Sequence, residues 1–333
     1  MSNPTLPIGI FHEHQDWFRP LLAELERRGL PYESIDARQH CYDPGAGRPG
    51  YSLVFNRMSP SAYLRGAGQG IFHAHNFLDH LERRGIPIIN GSGAYRVETS
   101  KALQLEILRE LGLPYPQARV INHPNQVMAA AEGLRFPVVV KPNIGGSGAG
   151  IVRFDSPSIL KQAMIDGKID LGIDQTALVQ EFVPARGGHI TRVETLDRRY
   201  LYAINVYSTG SSFNLCPADI CQTTDGVELN RGACPADAPK TGIRVESYSP
   251  PTEVIAAVER IVDASDIDVG GIEYIVDDRD GKILYYDINA LSNFVADAVR
   301  VIGFDPHERL VDYLEHQVKT ELPARRLSQD SSL

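Results

Sequence analysis

The segment GGIEYIVDDRDGKILYYDIN, from Gly270 to Asn289, constrains this chain more than any other. Two alternating apolar runs flank the polar turn Asp277-Asp278-Arg279-Asp280-Gly281, the pattern of a β-hairpin with a short loop. Folding about that turn brings Glu273 to within about one residue of facing Asp287, and alternation puts Asp287 and Asn289 on one face. Two carboxylates and a carboxamide then converge among Ile, Val, Leu and Tyr, where an uncompensated charge is costly to bury. Hard oxygen donors of this kind suit Mg²⁺, which takes one or two carboxylates and fills its remaining positions with water and phosphate oxygens. The turn acids Asp277, Asp278 and Asp280 are read as turn formers only.

A phosphate partner for such an ion is offered by FPVVVKPNIGGSGAGIVRF, Phe136 to Phe154. A glycine-rich loop lies between two apolar β-type runs, and its backbone N–H groups can wrap an anion without side-chain obstruction. Lys141 ends the first run, placed to meet phosphate charge. The loop lacks the GK[ST] ending of a P-loop, and it joins strand to strand where a dinucleotide fingerprint joins strand to helix. Both of those nucleotide-binding classes are therefore disfavoured.

Elsewhere the pattern alternates strand and helix. Leu6 to Phe11 reads as a strand, and Asp16 to Arg28 as a helix with Phe18, Leu21, Leu22 and Leu25 on one side and Gly29 as a stop. Leu53 to Phe55 and Ile86 to Ile89 read as short strands around a helix marked by Phe77, Leu78 and Leu81. Val97 to Gly112 reads as one helix, closed by Pro114 and Pro116. Arg199 to Tyr207 reads as a strand and Thr252 to Ala264 as a helix. The 333 residues, 43% hydrophobic, suffice for a substantial core. No run reaches the length of a membrane span, and the first residues lack a secretory pattern, so the cytoplasm is the expected location. A net charge of −9 disfavours a nucleic-acid-binding face.

Four cysteines, Cys41, Cys216, Cys221 and Cys234, show no paired CxxC spacing. His12 and His14 form an HxH pair without a third ligand at convincing spacing. They follow Ile8-Gly9-Ile10-Phe11 at an expected strand end, where open α/β sheets bind ligands, which makes His12 or His14 a candidate substrate contact, with a plain polar edge as the alternative. Arg57, in Asn56-Arg57-Met58-Ser59-Pro60, is a candidate for bidentate binding of a substrate carboxylate, with a surface or capping role as the alternative.

With the hairpin and the glycine-rich loop together, the chain resembles the ATP-grasp superfamily, in particular the carboxylate–amine ligase branch of glutathione synthetase and RimK-type glutamate ligases. The resemblance runs from Ile8 to about Leu314 and implies an α/β and α+β fold. It implies an N-terminal α/β domain over 1–93, a small nucleotide-binding lobe over 94–183, a large lobe over 184–322 and a polar tail over 323–333. It further implies ATP bound by Lys101, Lys141, the loop Gly145, Gly146, Ser147, Gly148 and Gly150, and the inter-lobe strand Gln180, Glu181, Phe182 and Val183. Glu273, Asp287 and Asn289 resemble the family's metal triad for Mg²⁺, with Mn²⁺ as an alternative. Arg192 resembles an arginine near the carboxyl phosphate, so Arg192 and Lys141 are the expected catalytic residues.

Two departures bear on the substrate. Ile190 stands where relatives place a ribose-contacting acid, and Ala290-Leu291-Ser292-Asn293-Phe294 replaces a small-residue Pro-Gly segment that borders the acceptor site. Ser292 and Asn293 are accordingly candidate substrate residues, and the resemblance adds Asn214, near which relatives place an asparagine. The implied reaction is amide or peptide bond formation from a small-molecule carboxylate and an amine through an acyl phosphate, with release of ADP and phosphate. Kinase activity on a small molecule, or addition of amino acids to a protein partner, is the alternative, and homo-oligomerisation is left open.

Overall fold

The computed structural model describes residues 6–146, 148–207 and 244–320. Its first unit is a parallel sheet. Strand β1 (Ile8–His12) leads through a single 3-10 turn at Gln15–Phe18 into α1 (Arg19–Arg27). Pro20 sits in the first turn of α1, where its missing N–H costs nothing. Strand β2 (Tyr32–Asp36), β3 (Leu53–Asn56), α2 (Gly68–Arg83) and β4 (Ile88–Ile89) complete a sheet of order β2-β1-β3-β4. The central strands β1 and β3 are buried throughout, as a parallel strand covered on both faces must be. Strand β2 escapes the apolar pattern because it lies at the sheet edge and most of YESID faces outward.

Two helices follow: α3 (Ser92–Glu98), most of which precedes the helix expected over Val97 to Gly112, and α4 (Lys101–Glu110) within it. The break falls at Thr99-Ser100, where the Ser100 hydroxyl accepts the Leu103 N–H at 3.2 Å and starts a new helix. Strand β5 (Ala118–Ile121), α5 (Val127–Ala130), β6 (Val138–Pro142), β7 (Val152–Phe154), α6 (Pro157–Ile165) and β8 (Ala177–Glu181) build an antiparallel sheet of order β5-β8-β6-β7. The third unit contains β9 (His189–Leu196), β10 (Arg199–Tyr207), β11 (Arg244–Tyr248), α7 (Thr252–Ala264), β12 (Val269–Val276) and β13 (Ile283–Asn289). Its sheet order is β11-β10-β9-β12-β13, all antiparallel, and α8 (Ala298–Ile302) and α9 (Pro306–Thr320) follow. Among the described residues no helix is long and apolar enough to cross a membrane.

The first and third units share one apolar core. Ile8, Ile10 and Phe55 of the parallel sheet pack with Ile204 and Val206 of β10 and with Leu310 and Leu314 of α9. On the opposite face of the large sheet, α7 contributes Val254, Val258, Ile261 and Val262 to a core completed by Ile272 and Ile288. The small sheet has its own core, centred on Val138, Val140, Val179 and Leu160.

A single asparagine ties these units together. Asn90, 1% exposed and left-handed at φ 54°, accepts the N–H groups of Asp268 (2.8 Å) and Val269 (3.1 Å) through its side-chain oxygen. Its side-chain N–H₂ donates to the carbonyls of Val269 and Ala290, both at 2.7 Å, while its backbone N–H donates to the Asp268 carboxylate. Asn90→Ala leaves several buried partners unpaired, and urea titration is expected to show a loss of about 3 kcal/mol. A loss below about 1 kcal/mol would mean that water replaces these bonds without penalty.

Candidate functional site

The acidic hairpin registers as its sequence implies. Glu273 pairs directly with Asp287 and, on its other side, with Arg192 of β9; Gly271 likewise pairs with Asn289 and with Glu194. Two adjacent rungs therefore cross the sheet, Arg192–Glu273–Asp287 and Glu194–Gly271–Asn289. A bulge after Glu273 makes Tyr286 an extra residue on β13, so that Tyr286 and Asp287 both line one cleft despite being sequence neighbours. Strict alternation would have sent them to opposite faces.

Arg192 joins the two rungs. Its Nη1 donates to Glu273 Oε1 at 2.9 Å and its Nε to Glu194 Oε1 at 2.6 Å, with Arg192 and Glu194 7% and 1% exposed. Tyr286 donates to the other Glu273 oxygen at 2.7 Å. Burial raises the Glu273 carboxyl above its usual range, against the pull of Arg192. The guanidinium lies flat over Gly271, where a Cβ would stand 2.6 Å from Nη2 and 2.8 Å from Cζ. The absence of a side chain at Gly271 is what lets the cation reach both acids.

Facing this sheet across the cleft are the two lysines. Lys141, on β6, is 4% exposed, and burial together with the nearby Lys101 charge lowers its pKa to about 8. Lys101 stands at the first position of α4, donates to the Gly145 carbonyl at 2.8 Å and lies 3.6 Å from Asp287 Oδ1. The Ser100 cap sets that position, and Asn143 fixes it from the base of the loop by accepting the Ala102 N–H at 2.9 Å. Gly145, Gly146 and Gly148 line the cleft above them. Gly150 turns the loop back at φ 73°, with a Cβ position only 2.8 Å from Pro142.

One end of the cleft is an apolar slot formed by Phe182, Val183, Ile190 and Ile275, with Gln180 and Glu181 beside it. Gln180 is 7% exposed, and its side-chain oxygen has no hydrogen-bond partner among the described residues. The other end is formed by the segment after Asn289. Glu98, the last residue of α3, accepts the N–H groups of Ala290 and, at 3.4 Å, Leu291. Burial lifts the Glu98 carboxyl to about 7, and the Asp287 charge adds to the rise against the pull of those backbone donors. Ser292 and Asn293 line the cleft.

Two anticipated contacts are placed elsewhere. Arg57 is neither on the surface nor on the cleft wall: it is 3% exposed, its guanidinium centre 5.0 and 4.9 Å from the Phe18 and Phe55 rings. Its Nη2 donates to the Ser292 carbonyl and to Asn293 Oδ1 (2.8 Å), so it supports the cleft segment from behind. Apolar packing around the end of β3 explains the difference. His12 is 2% exposed, faces Ser34 at 2.7 Å and is pushed down to about 4 by burial, away from the cleft lining. Ser147 and Asn214, the cysteines Cys216, Cys221 and Cys234, and the tail 323–333 lie outside the described residues. Residues that sequence reasoning missed are Glu98, Glu194, Gly271 and Tyr286. Only Gly271 carried a local signal, as a glycine inside a strand pattern.

The donors present fit a hard divalent cation. Glu273 and Asp287 supply carboxylate oxygens, and Asn289, whose side-chain N–H₂ donates to the Gly271 carbonyl at 3.2 Å, presents its amide oxygen. Among the described residues no three His, Cys, Asp or Glu side chains gather as ligands by themselves; the third donor here is a carboxamide.

Comparisons with known proteins agree with this architecture. Residues 98–214 match the model of the RimK-like ATP-grasp domain. The D-alanine–D-alanine ligase of Geobacter sulfurreducens is 30% identical over 151 residues, covering 41% of this chain and 46% of the relative. The chain spans about half the length of the curated relatives it matches first. The ATP-grasp ligase PsnB, solved with a phosphomimetic variant of its minimal precursor, Mg and ADP, superposes with a TM-score of 0.67 at 18% identity, covering 95% of this chain and 100% of that one. D-cycloserine synthetase DcsG gives 0.66 at 17% identity, covering 93% and 99%. The chain has the ATP-grasp fold.

Gly271→Ala places a methyl group inside the Arg192 contact distance without straining the backbone. Cleft chemistry is expected to drop at least about tenfold while urea stability changes by less than about 2 kcal/mol. Unchanged turnover would show that Arg192 does not need its position over Gly271.

Proposed function

We propose that this ATP-grasp chain, with its RimK-like domain, is an ATP-dependent ligase that joins a carboxylate to an amine through an acyl phosphate. The observation that carries the reading is the confrontation across one cleft of Lys101 and Lys141 with the Arg192–Glu273–Asp287 rung. Cations on one wall and oxygen donors on the other suit a polyphosphate with its metal ion. The apolar slot by Phe182 and Ile190 suits a purine, and the unpartnered Gln180 oxygen suits its amino group. Ile190 offers the ribose no hydrogen bond, in keeping with the sequence departure.

Glu273, Asp287 and Asn289 would hold Mg²⁺, which when bound neutralises phosphate charge. The chain's own groups act on the same oxygens. Lys101 and Lys141 bind the phosphates, and loop N–H groups at Gly145, Gly146 and Gly148 cover them. A carboxylate oxygen attacks the terminal phosphorus as the bond to ADP breaks. Arg192, anchored on two acids, is aimed where that phosphoryl group passes. The amine, once it has lost any ammonium proton to solvent, attacks the acyl carbon; the C–N bond forms, the C–O bond to phosphate breaks, and phosphate leaves as the nitrogen's surplus proton passes to it or to solvent. Closure of the glycine-rich loop keeps water away from the acyl phosphate.

Lys141→Ala and Asp287→Asn are each expected to lower amine-dependent ADP release by roughly 10²-fold. Near-normal turnover in either would refute the assignment, and ADP release indifferent to amine would favour a kinase. The lowered Lys141 pKa adds a signed pH effect. Below about 8 the ammonium is present; above it the charge is lost, and nucleotide affinity is expected to fall from pH 7 to pH 9. Phosphate charge raises that pKa again, so ATP binding near pH 8.5 is expected to take up protons. Calorimetry in two buffers of different ionisation enthalpy measures the uptake, and none, or release, would contradict it.

A further inference from the structure

The clamp on Arg192 leaves one polar atom over. Glu194 lines the cleft and is 1% exposed; its Oε1 is taken by Arg192, but its Oε2 is buried with no hydrogen-bond partner among the described residues. The other acids on the cleft wall are engaged. Glu273 is held by Arg192 and Tyr286, Glu98 by two backbone N–H groups, Glu181 by the Arg135 N–H, and Asp287 faces Lys101. An acceptor oxygen so deeply buried calls for a donor.

Position on β9 says what kind. Ile190, Arg192 and Glu194 follow one another along the cleft face at a spacing of about 7 Å. Ile190 belongs to the slot with Val183 and Ile275, the end that suits the purine. Glu194 lies at the far side of Arg192, on the rung with Gly271 and Asn289 and toward Ser292. The nucleotide's hydroxyls belong with the purine at the Ile190 end; of the hard-oxygen donors for a divalent ion, Glu273 and Asp287 stand on the neighbouring rung, and Asn289, on the Glu194 rung, lies two strands away across Gly271. A phosphate is repelled by the carboxylate. The remaining complement is a singly charged N–H donor entering beyond the transferred phosphoryl group.

We propose that Glu194 Oε2 is a binding site for the ammonium group of a substrate. The inference rests on the ligase reading and deepens it: one of the two substrates enters as a cation, held by Glu194 while Arg192 faces the phosphoryl group. Two sources share this chemistry, the α-ammonium of an amino acid whose carboxylate is activated and the ammonium of the acceptor amine. Arg57 acts from behind the wall on Glu98 and on Glu194; its Nε and Nη1 are buried without a hydrogen-bond partner among the described residues, so neither donates to Glu194.

The test compares charged and uncharged substrates in wild type and Glu194→Gln, which keeps an acceptor for Arg192 Nε and removes the charge. With Mg·ATP, hydroxamate formation is measured with hydroxylamine, an uncharged nucleophile at neutral pH, using the common amino acids, D-alanine and their deaminated counterparts as carboxylates. Amide formation is measured with the same amino acids as amines. The ratio of kcat/KM for ammonium-bearing over uncharged substrates is expected to fall at least about tenfold in the variant, through KM. A fall seen for amino acid against deaminated acid in hydroxamate formation assigns the ammonium to the activated substrate. A fall seen only for amine against hydroxylamine assigns it to the acceptor. An unchanged ratio, with both classes impaired equally or not at all, overturns the proposal and leaves Glu194 as a support for Arg192. Wild-type protein that forms neither hydroxamate nor amide from this panel overturns the ligase reading and the proposal with it. If Glu194→Gln does not fold, Glu194→Asp, which keeps the charge and shortens the reach, is held to the same ratio.

Discussion

The structure depends on the buried guanidinium of Arg192. One cation lies on a glycine and spans two carboxylates on two rungs of an antiparallel sheet. Burying such ions is expensive, and their mutual attraction offsets the cost only when the geometry is tight and the remaining donors are satisfied. Here the strand register supplies the geometry: Arg192 and Glu273 are direct neighbours across β9 and β12, and Glu194 is the next residue on the same face. A group held in this way cannot swing away to pair elsewhere. That is the property the proposed phosphoryl transfer asks of a charge that meets the group without reorganisation.

Everything around the clamp serves to keep the cleft's two walls in relation. Asn90 pins the start of α3 to β12 and to the Ala290 carbonyl. Glu98 then holds the backbone of Ala290 and Leu291, and Arg57 holds Ser292 and Asn293, so that the segment following the acidic hairpin is gripped by two buried charges from outside the large sheet. The same helix break that ends α3 at Glu98 begins α4 at Lys101. A single serine cap therefore places an acid and a base, three residues apart, at the two sides of the Asp287 carboxylate.

Much of this was legible in the sequence. The Asp-rich turn and the alternation of Ile, Val and Tyr set the pairing of Glu273 with Asp287, and the register is direct. The glycine-rich loop between apolar strands placed Lys141 and Gly145. What escaped has physical causes. A bulge adds a residue to one strand and defeats alternation, which hid Tyr286. A capping serine looks like an ordinary helix residue, which carried the expected helix back across the break to Val97. Arg57 and His12 sit beside apolar residues whose partners are distant in sequence, so burial between Phe18 and Phe55, or against Ser34, could not be read from local pattern. Glu194 carries no local signal in the sequence; only the register, which sets it beside Gly271, singles it out.

Isotope transfer tests the proposed phosphoryl transfer to a carboxylate most directly. A carboxylate substrate labelled with ¹⁸O in both oxygens is turned over with Mg·ATP and amine, and the released phosphate is analysed by mass. An acyl phosphate path delivers one ¹⁸O atom to each phosphate as each amide forms. Phosphate free of ¹⁸O, with amide still produced, would contradict the mechanism and the reading of the Arg192 rung on which it is built.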